Sequence, residues 1–178
     1  MTTAVFTIAS LLIASVAAAA VLYQAWLLRF SIKVQSLLAL DQKFSETYKG
    51  TRHLAASELI NNKPGTNLDD VLDFLDTIGL LVRRGALDEE MVWHTFFYWI
   101  FGYWHAAKAH IEREREKNPL VWNYLPDLYN RVLAFEKKKG KGRLADSGLV
   151  PTEDDVKEFL QDESGHEPIT FAKISPPR

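Results

Sequence analysis

The chain has 178 residues, 21 Lys/Arg against 23 Asp/Glu, and no Cys. The near-neutral balance argues against a dedicated nucleic-acid binder, which needs a net basic footprint. The absence of Cys excludes a disulfide framework, thiolate catalysis and Cys-ligated zinc or iron–sulfur sites. Apolar residues make up 47% of the chain, too many for disorder.

The charge is unevenly placed. Residues 1–143 carry 18 Lys/Arg against 15 Asp/Glu, whereas residues 144–178 carry 3 against 8. The far end is acidic and the part next to the apolar leader is basic.

Met1 to Leu28 has no charged side chain. The 25 residues from Ala4 to Leu28 span roughly 37 Å as a helix, enough for a hydrocarbon core of ~30 Å. We read them as a transmembrane anchor whose partner is the lipid bilayer. Tyr23 and Trp26 fall where aromatic rings favour the headgroup region, and Arg29 and Lys33 come at once after them, so these four are the expected membrane-interface residues. The C-terminal flank continues with Lys43, Lys49 and Arg52, and no Lys or Arg precedes Ala4. The positive-inside rule then places the N-terminus outside and the body in the cytoplasm. The competing reading is a signal peptide cut near Ala17 to Ala20, which would leave the body outside the cytoplasmic membrane. Against it stand the missing basic n-region and the apolar run that continues to Leu28.

The helical pattern goes on past Leu28. Leu37, Leu40, Phe44, Tyr48, Ala55 and Leu59 share one face, which predicts a long helix from Ala4 to Ile60 with a hinge near Phe30 or Gly50. Asn61 to Thr66 is a turn. A second helix starts at Asn67 as its cap and buries Leu68, Val71, Leu72, Leu75, Ile78 and Val82. Asp69 and Asp70 suit its N-terminal dipole, Arg83 and Arg84 its other end, and Gly85 its left-handed C′ position. Asp88 caps a third helix that runs to Asn118, apolar nearly all round from Met91 to Trp104 and solvated from Ile111 to Lys117. Asn118-Pro119 ends it. A fourth helix runs from Pro126 to Lys138, with Leu128, Leu133 and Phe135 as its contacts. Lys137 to Arg143 is a basic linker, read as solvated and paired in part with the acidic tail. Thr152 caps a short helix through Gln161 buried by Val156, Phe159 and Leu160, and Ser164 to Arg178 is unpacked or lightly docked.

The expected fold is therefore all-α. A transmembrane helix (1–28) continues into a bundle of three to four helices (29–139), followed by a basic linker and acidic flexible tail with one short helix (140–178).

Eight aromatic residues lie between Trp93 and Trp104. Such a helix must be buried on most sides, and a small bundle need not cover it completely. Tyr98, Trp99, Tyr103 and Trp104 are the candidate interaction surface, for a second copy or another protein. His94 and His105 sit ~16 Å apart along one helix and cannot bind one metal by themselves. Asp69, Asp73 and Asp76 share a face that is read as solvated rather than as a cation site. His53, Ser57 and Glu58 are close in sequence with nothing to orient them as a triad. No phosphate-loop, dinucleotide or nucleophile-elbow motif occurs. The expectation is a non-enzyme without cofactor, metal or nucleic acid. The alternatives are a ligand or lipid sensor, or an enzyme with a polar site between helices.

Several patterns together resemble a known family. Phe44 and Arg52 precede Ala55-Ala56, followed by Phe74-Leu75-x-x-x-Gly79-Leu80-Leu81-Val82-x-x-Gly85-x-Leu87-Asp88, and then Phe101-x-x-Trp104. Over roughly residues 5–135 this resembles the bacterial family catalogued as domain of unknown function 4760. Its members commonly have one N-terminal transmembrane helix and a small helical domain. The resemblance implies architecture and a bacterial membrane, and supplies no catalytic residue.

Overall fold

A computed structural model describes residues 2–139 and 150–165. The described residues form seven α-helices, one π-helical turn and no strand. The helices are α1 (Thr2–Gln42), α2 (Lys49–Ile60), α3 (Thr66–Arg83), α4 (Glu89–Ala106), α5 (Lys108–Lys117), α6 (Leu125–Lys139) and α7 (Glu153–Glu163). The chain divides into two compact units, one through Ser36 and one from Leu37 on.

The first unit is a single apolar helix whose described side chains stand open. Val16, Val21, Leu22, Tyr23, Trp26 and Leu28 are all more than 60% exposed. Tyr23, Trp26 and Phe30, spaced by three and four residues, stack in succession with ring centroids 6.2 Å apart. Among the described residues, this is one helix long and apolar enough to cross a membrane or to serve as a signal sequence.

In the second unit the expected unbroken helix to Ile60 is interrupted. The break is a π-helical turn over Lys43–Thr47, not a hinge at Phe30 or Gly50. A π turn inserts a residue and so rotates the next stretch of helix by about 100°. Phe44, inside that turn, is fully buried and stacks on Phe74 at 4.7 Å. Gly50 lies within α2 with nothing close to its missing Cβ.

Helix α3 carries the expected core stripe. Leu68, Val71, Leu72, Leu75, Ile78 and Val82 are all buried. Each such Leu, Ile or Val contributes about 1.5–3 kcal/mol when fully buried. Its start differs from expectation: Asn67 is inside the helix, and the carboxylate of Glu58 on α2 does the capping. Glu58 accepts from the backbone N–H of Gly65 (3.1 Å) and Leu68 (3.0 Å) and from the Asn67 amide (2.6 Å). Its end is as expected. Gly85 has φ +70°, its N–H reaches Val82 O, and Ala86 N–H reaches Leu81 O, the paired bonds of a Schellman motif.

Asp88 caps α4 by accepting from Glu90 and Met91 N–H. The helix expected to run on to Asn118 breaks at Ala107, and the break turns His110 and Ile111 into buried positions at the start of α5. In the loop after α5, Asn118 Oδ1 accepts from Leu120 N–H. Helix α6 buries Leu125, Leu128, Tyr129, Val132 and Glu136. Leu133 and Phe135, also expected as contacts, are half-buried and pack against this core, Phe135 stacking on Trp93 with ring centroids 6.2 Å apart. Thr152 and Asp155 form a capping box at α7, whose Phe159, Leu160 and Glu163 are buried. Most of the expected basic linker (140–143) and the end of the tail (166–178) lie outside the described residues.

The core is assembled by α2 against α3, α4 against α6, α3 against α6, and α7 against both α2 and α4. Two glycines permit close approach. A Cβ on Gly79 would lie 2.7 Å from the Tyr124 carbonyl oxygen, and one on Gly102 would lie 2.3 Å from the Phe159 ring.

Candidate functional site

The aromatic helix α4 presents a different chemistry on each side. Val92, Phe96, Ile100 and Tyr103 are fully buried. Toward α6, Trp93 Nε1 donates to Glu136 Oε2 at 2.9 Å, and Trp104 stacks on Tyr129 with centroids 4.8 Å apart. Toward α7, Tyr98 donates to Asp162 Oδ2 (3.0 Å) and Trp99 Nε1 donates to Glu163 Oε1 (3.1 Å). The Tyr103 hydroxyl lies 3.2 Å from Arg52 O and 3.3 Å from Glu163 Oε2.

Of the four residues expected to form an open surface, Tyr98, Trp99 and Trp104 are half-buried. Tyr103 is completely enclosed and is not a surface residue, because Phe159 of α7 packs edge-on against its ring at 5.1 Å. Tyr98, Trp99 and Tyr103 meet α7, and Trp104 meets α6.

The centre of this cluster is an ion pair that sequence reasoning missed. Arg52 on α2 and Glu163 on α7 are each under a tenth exposed, with Arg52 Nη1 3.1 Å from Glu163 Oε2 and 3.2 Å from Oε1. The guanidinium also lies over the rings of Phe44 (4.9 Å) and Trp99 (5.1 Å). By sequence Arg52 is one of the cations flanking the anchor, yet in the fold it faces the core beside Ala55 and Ala56. Burial pushes the Glu163 carboxyl above its ordinary range, against the pull of Arg52 and the hydrogen bonds from Trp99 and Tyr103. Burial, reinforced by neighbouring carboxylates, also raises the Tyr98 and Tyr103 phenols, so both remain protonated donors. A signal for Glu163 existed: it stands four residues after Phe159 and three after Leu160, on the buried stripe of α7.

The acidic stripe on α3 is structural. The expectation of a solvated face holds in part, since Asp73 is exposed and the Asp69 side chain is 47% exposed, but each carboxylate also has a distant partner. His110 Nε2 donates to Asp69 at 2.8 Å, Trp122 Nε1 donates to Asp73 at 2.8 Å, and the backbone N–H groups of Tyr124 and Leu125 donate to Asp76 at 2.7 and 2.8 Å. Together they pin α5, the following loop and the start of α6 to α3. Burial raises Asp76 despite its two backbone donors. No group of three or more His, Asp or Glu able to hold a metal ion occurs among the described residues.

The other polar candidates do not converge. His94 is exposed, with its ring against Trp93, whereas His105 is half-buried and hydrogen-bonded to the Tyr129 hydroxyl at 2.9 Å. Burial, aided by Lys108, lowers the His105 pKa. The Ser57 hydroxyl donates to the backbone oxygen of His53, and Glu58 is committed to capping α3. An open depression lined by Leu54, Ser57, Glu58, Asn61, Lys63 and Asn67 lies on this side of α2. Among the expected interface residues, Tyr23, Trp26 and Arg29 are exposed and Lys33 is half-exposed.

No curated protein and no solved structure matches the chain. The family described as Domain of unknown function (DUF4760) matches residues 11–132, a range that contains every donor of the Arg52 cluster and ends before α7. With most of its length matched, the chain belongs to the Domain of unknown function (DUF4760) family.

Proposed function

We propose that the chain is a single-pass membrane protein of a bacterial inner membrane, with its N-terminus outside and its helical unit in the cytoplasm. There the unit serves as a protein-interaction or scaffold module and not as an enzyme. The observation that carries this reading is the open apolar surface of α1 from Val16 to Leu28, bounded by Arg29 and Lys33. Exposed apolar surface of that length is costly in water and favourable in lipid. The interaction role is supported by how the polar side chains are used. Asp69, Asp73, Asp76, Glu58 and Glu163 are spent on holding helices together, while Leu38, Leu54 and Ile60 remain exposed on the helical unit.

Membrane fractionation of the tagged full chain tests the address. The chain is expected to stay in the pellet through alkaline carbonate. A single cysteine at Thr2 should label from outside intact spheroplasts, and one at Ser147 only after lysis. A mature chain in the aqueous fraction, starting after the alanine run, overturns the proposal. In-cell cross-linking then tests the role: a reproducible adduct, to a second copy or to another protein, is expected, and a monomer alone counts against it.

A second reading, contact with anionic lipid, draws on the exposed Lys137, Lys138 and Lys139 at the end of α6. Vesicle binding that ignores anionic lipid content removes it.

A further inference from the structure

The face of α2 and α4 under α7 has two sockets. In one, Phe159 sits between the rings of Tyr98 (5.2 Å) and Tyr103 (5.1 Å) over the bare backbone of Gly102. In the other, Glu163 takes hydrogen bonds from Arg52, Trp99 and Tyr103. The two occupants are four residues apart, which is one helical turn and one face. Every residue that forms the sockets lies within the family-matched range, and both occupants lie beyond it.

The fit is incomplete in one respect. Arg52 Nε is buried without a hydrogen-bond partner, because both Glu163 oxygens are approached through Nη1. An arginine fork binds a carboxylate best through two parallel N–H groups, so a carboxylate entering along the Nε edge would use the donor that Glu163 leaves idle. A buried ion pair with an unused donor contributes little net stability over its desolvation cost.

We propose that this face is a docking site for an amphipathic acidic helix of a partner protein, one that presents a phenyl ring and, four residues later, a carboxylate. Helix α7 is then the resident occupant that such a partner displaces. The socket chemistry selects the partner: a buried cation with indole and phenol donors accepts a carboxylate and rejects an amide or a base, and the Gly102 floor admits a flat ring. Because α7 belongs to the same chain as the face it covers, it competes with a partner as an intramolecular ligand. The free face is therefore masked, and a partner must bind it more tightly than α7 does.

This deepens the reading of the chain as an interaction module and rests on it. The test uses purified full-length protein in detergent, so its outcome is independent of membrane address and of any cellular cross-link. The probe is a fluorescent peptide of residues 150–165. A chain carrying Phe159→Ala and Glu163→Lys, which releases α7, is expected to bind the peptide at least tenfold more tightly than the unaltered chain. A peptide carrying Glu163→Gln should lose at least tenfold against the released chain. Equal binding by the released and unaltered chains overturns the proposal. Hydrogen exchange on the unaltered chain keeps it falsifiable should the released variant fail to fold. Amides of α7 are expected to exchange at least tenfold faster than those of α3, and equal protection would make α7 a fixed part of the core and end the proposal.

Discussion

Helices α1 and α4 are both apolar nearly all round, and they solve the resulting problem differently. In α4 the apolar side chains are covered by protein: Val92, Phe96, Ile100 and Tyr103 have no exposed surface. Its polar handles are matched one by one, Trp93 with Glu136, Tyr98 with Asp162 and Trp99 with Glu163. In α1 the side chains from Val16 to Leu28 stand open, and its aromatic residues stack on one another. Apolarity on all sides therefore does not by itself say whether other helices of the chain cover a helix. Length and charge separate the two, since Glu90 and Lys108 bracket the apolar span of α4 within a length too short for a bilayer while α1 has no charge before Arg29.

The largest expected effects break this comparison from each side. Replacing Val16 and Ala17 by Lys puts two charges near the middle of the apolar run, at ~2.5–3.5 kcal/mol each on an insertion scale. The membrane-bound fraction should fall more than a hundredfold by sedimentation, with the melting of the helical unit unchanged. Phe96→Ala should do the reverse. It opens a cavity in the core at about 3–5 kcal/mol, lowering the Tm by roughly 10–20 °C, and leaves sedimentation with the membrane intact. A variant that moved both readouts together would refute the division of labour between the two helices.

The parts of the fold readable from sequence were those set by neighbours along the chain. The Asp88 cap, the Gly85 terminator, the α3 stripe and the Thr152 cap each depend on residues within a turn or two. The parts that were not readable depend on distant partners. Arg52 and Glu163 are 111 positions apart, and each looks like a surface charge until the other is placed beside it. The aspartates of α3 obey the same logic, since their partners lie 41 to 49 residues away. The π turn is a third case: nothing local distinguishes Lys43–Thr47 from ordinary helix, and the contact made from within it, Phe44 on Phe74, joins residues far apart in sequence. Of the site, the aromatic residues were legible as a group. Their orientation was not, because a helix apolar on every side carries no phase to read.

A middle-sized effect sharpens the comparison within the helical unit. Asp76 accepts from two backbone N–H groups at the start of α6. Asp76→Ala should cost about 1–3 kcal/mol by leaving those amides without their acceptor, and denaturant melts should show it as a lower midpoint. Asp73→Ala frees only the Trp122 indole and should cost less. If the two variants were equally mild, the stripe would contribute nothing to holding the start of α6 on α3.

The smallest effect concerns pH and the side of α4 that meets α6. His105 is half-buried against Phe101 and bonded to Tyr129, and burial with Lys108 nearby depresses its pKa in the folded chain. A lowered folded-state pKa means that the unfolded chain binds the proton more readily. The stability due to neutral His105 is then fully present above the unfolded value of about 6.5 and is lost as pH falls through the folded value. His105→Gln keeps a hydrogen-bonding group and removes the titration. Between pH 7 and pH 5 the unaltered chain should lose more Tm than the variant, and the difference between the two curves isolates His105 from the other histidines. Parallel curves would mean that the ring is as easily protonated in the fold as in water, and that this side of α4 is wetter than its packing against Tyr129 indicates.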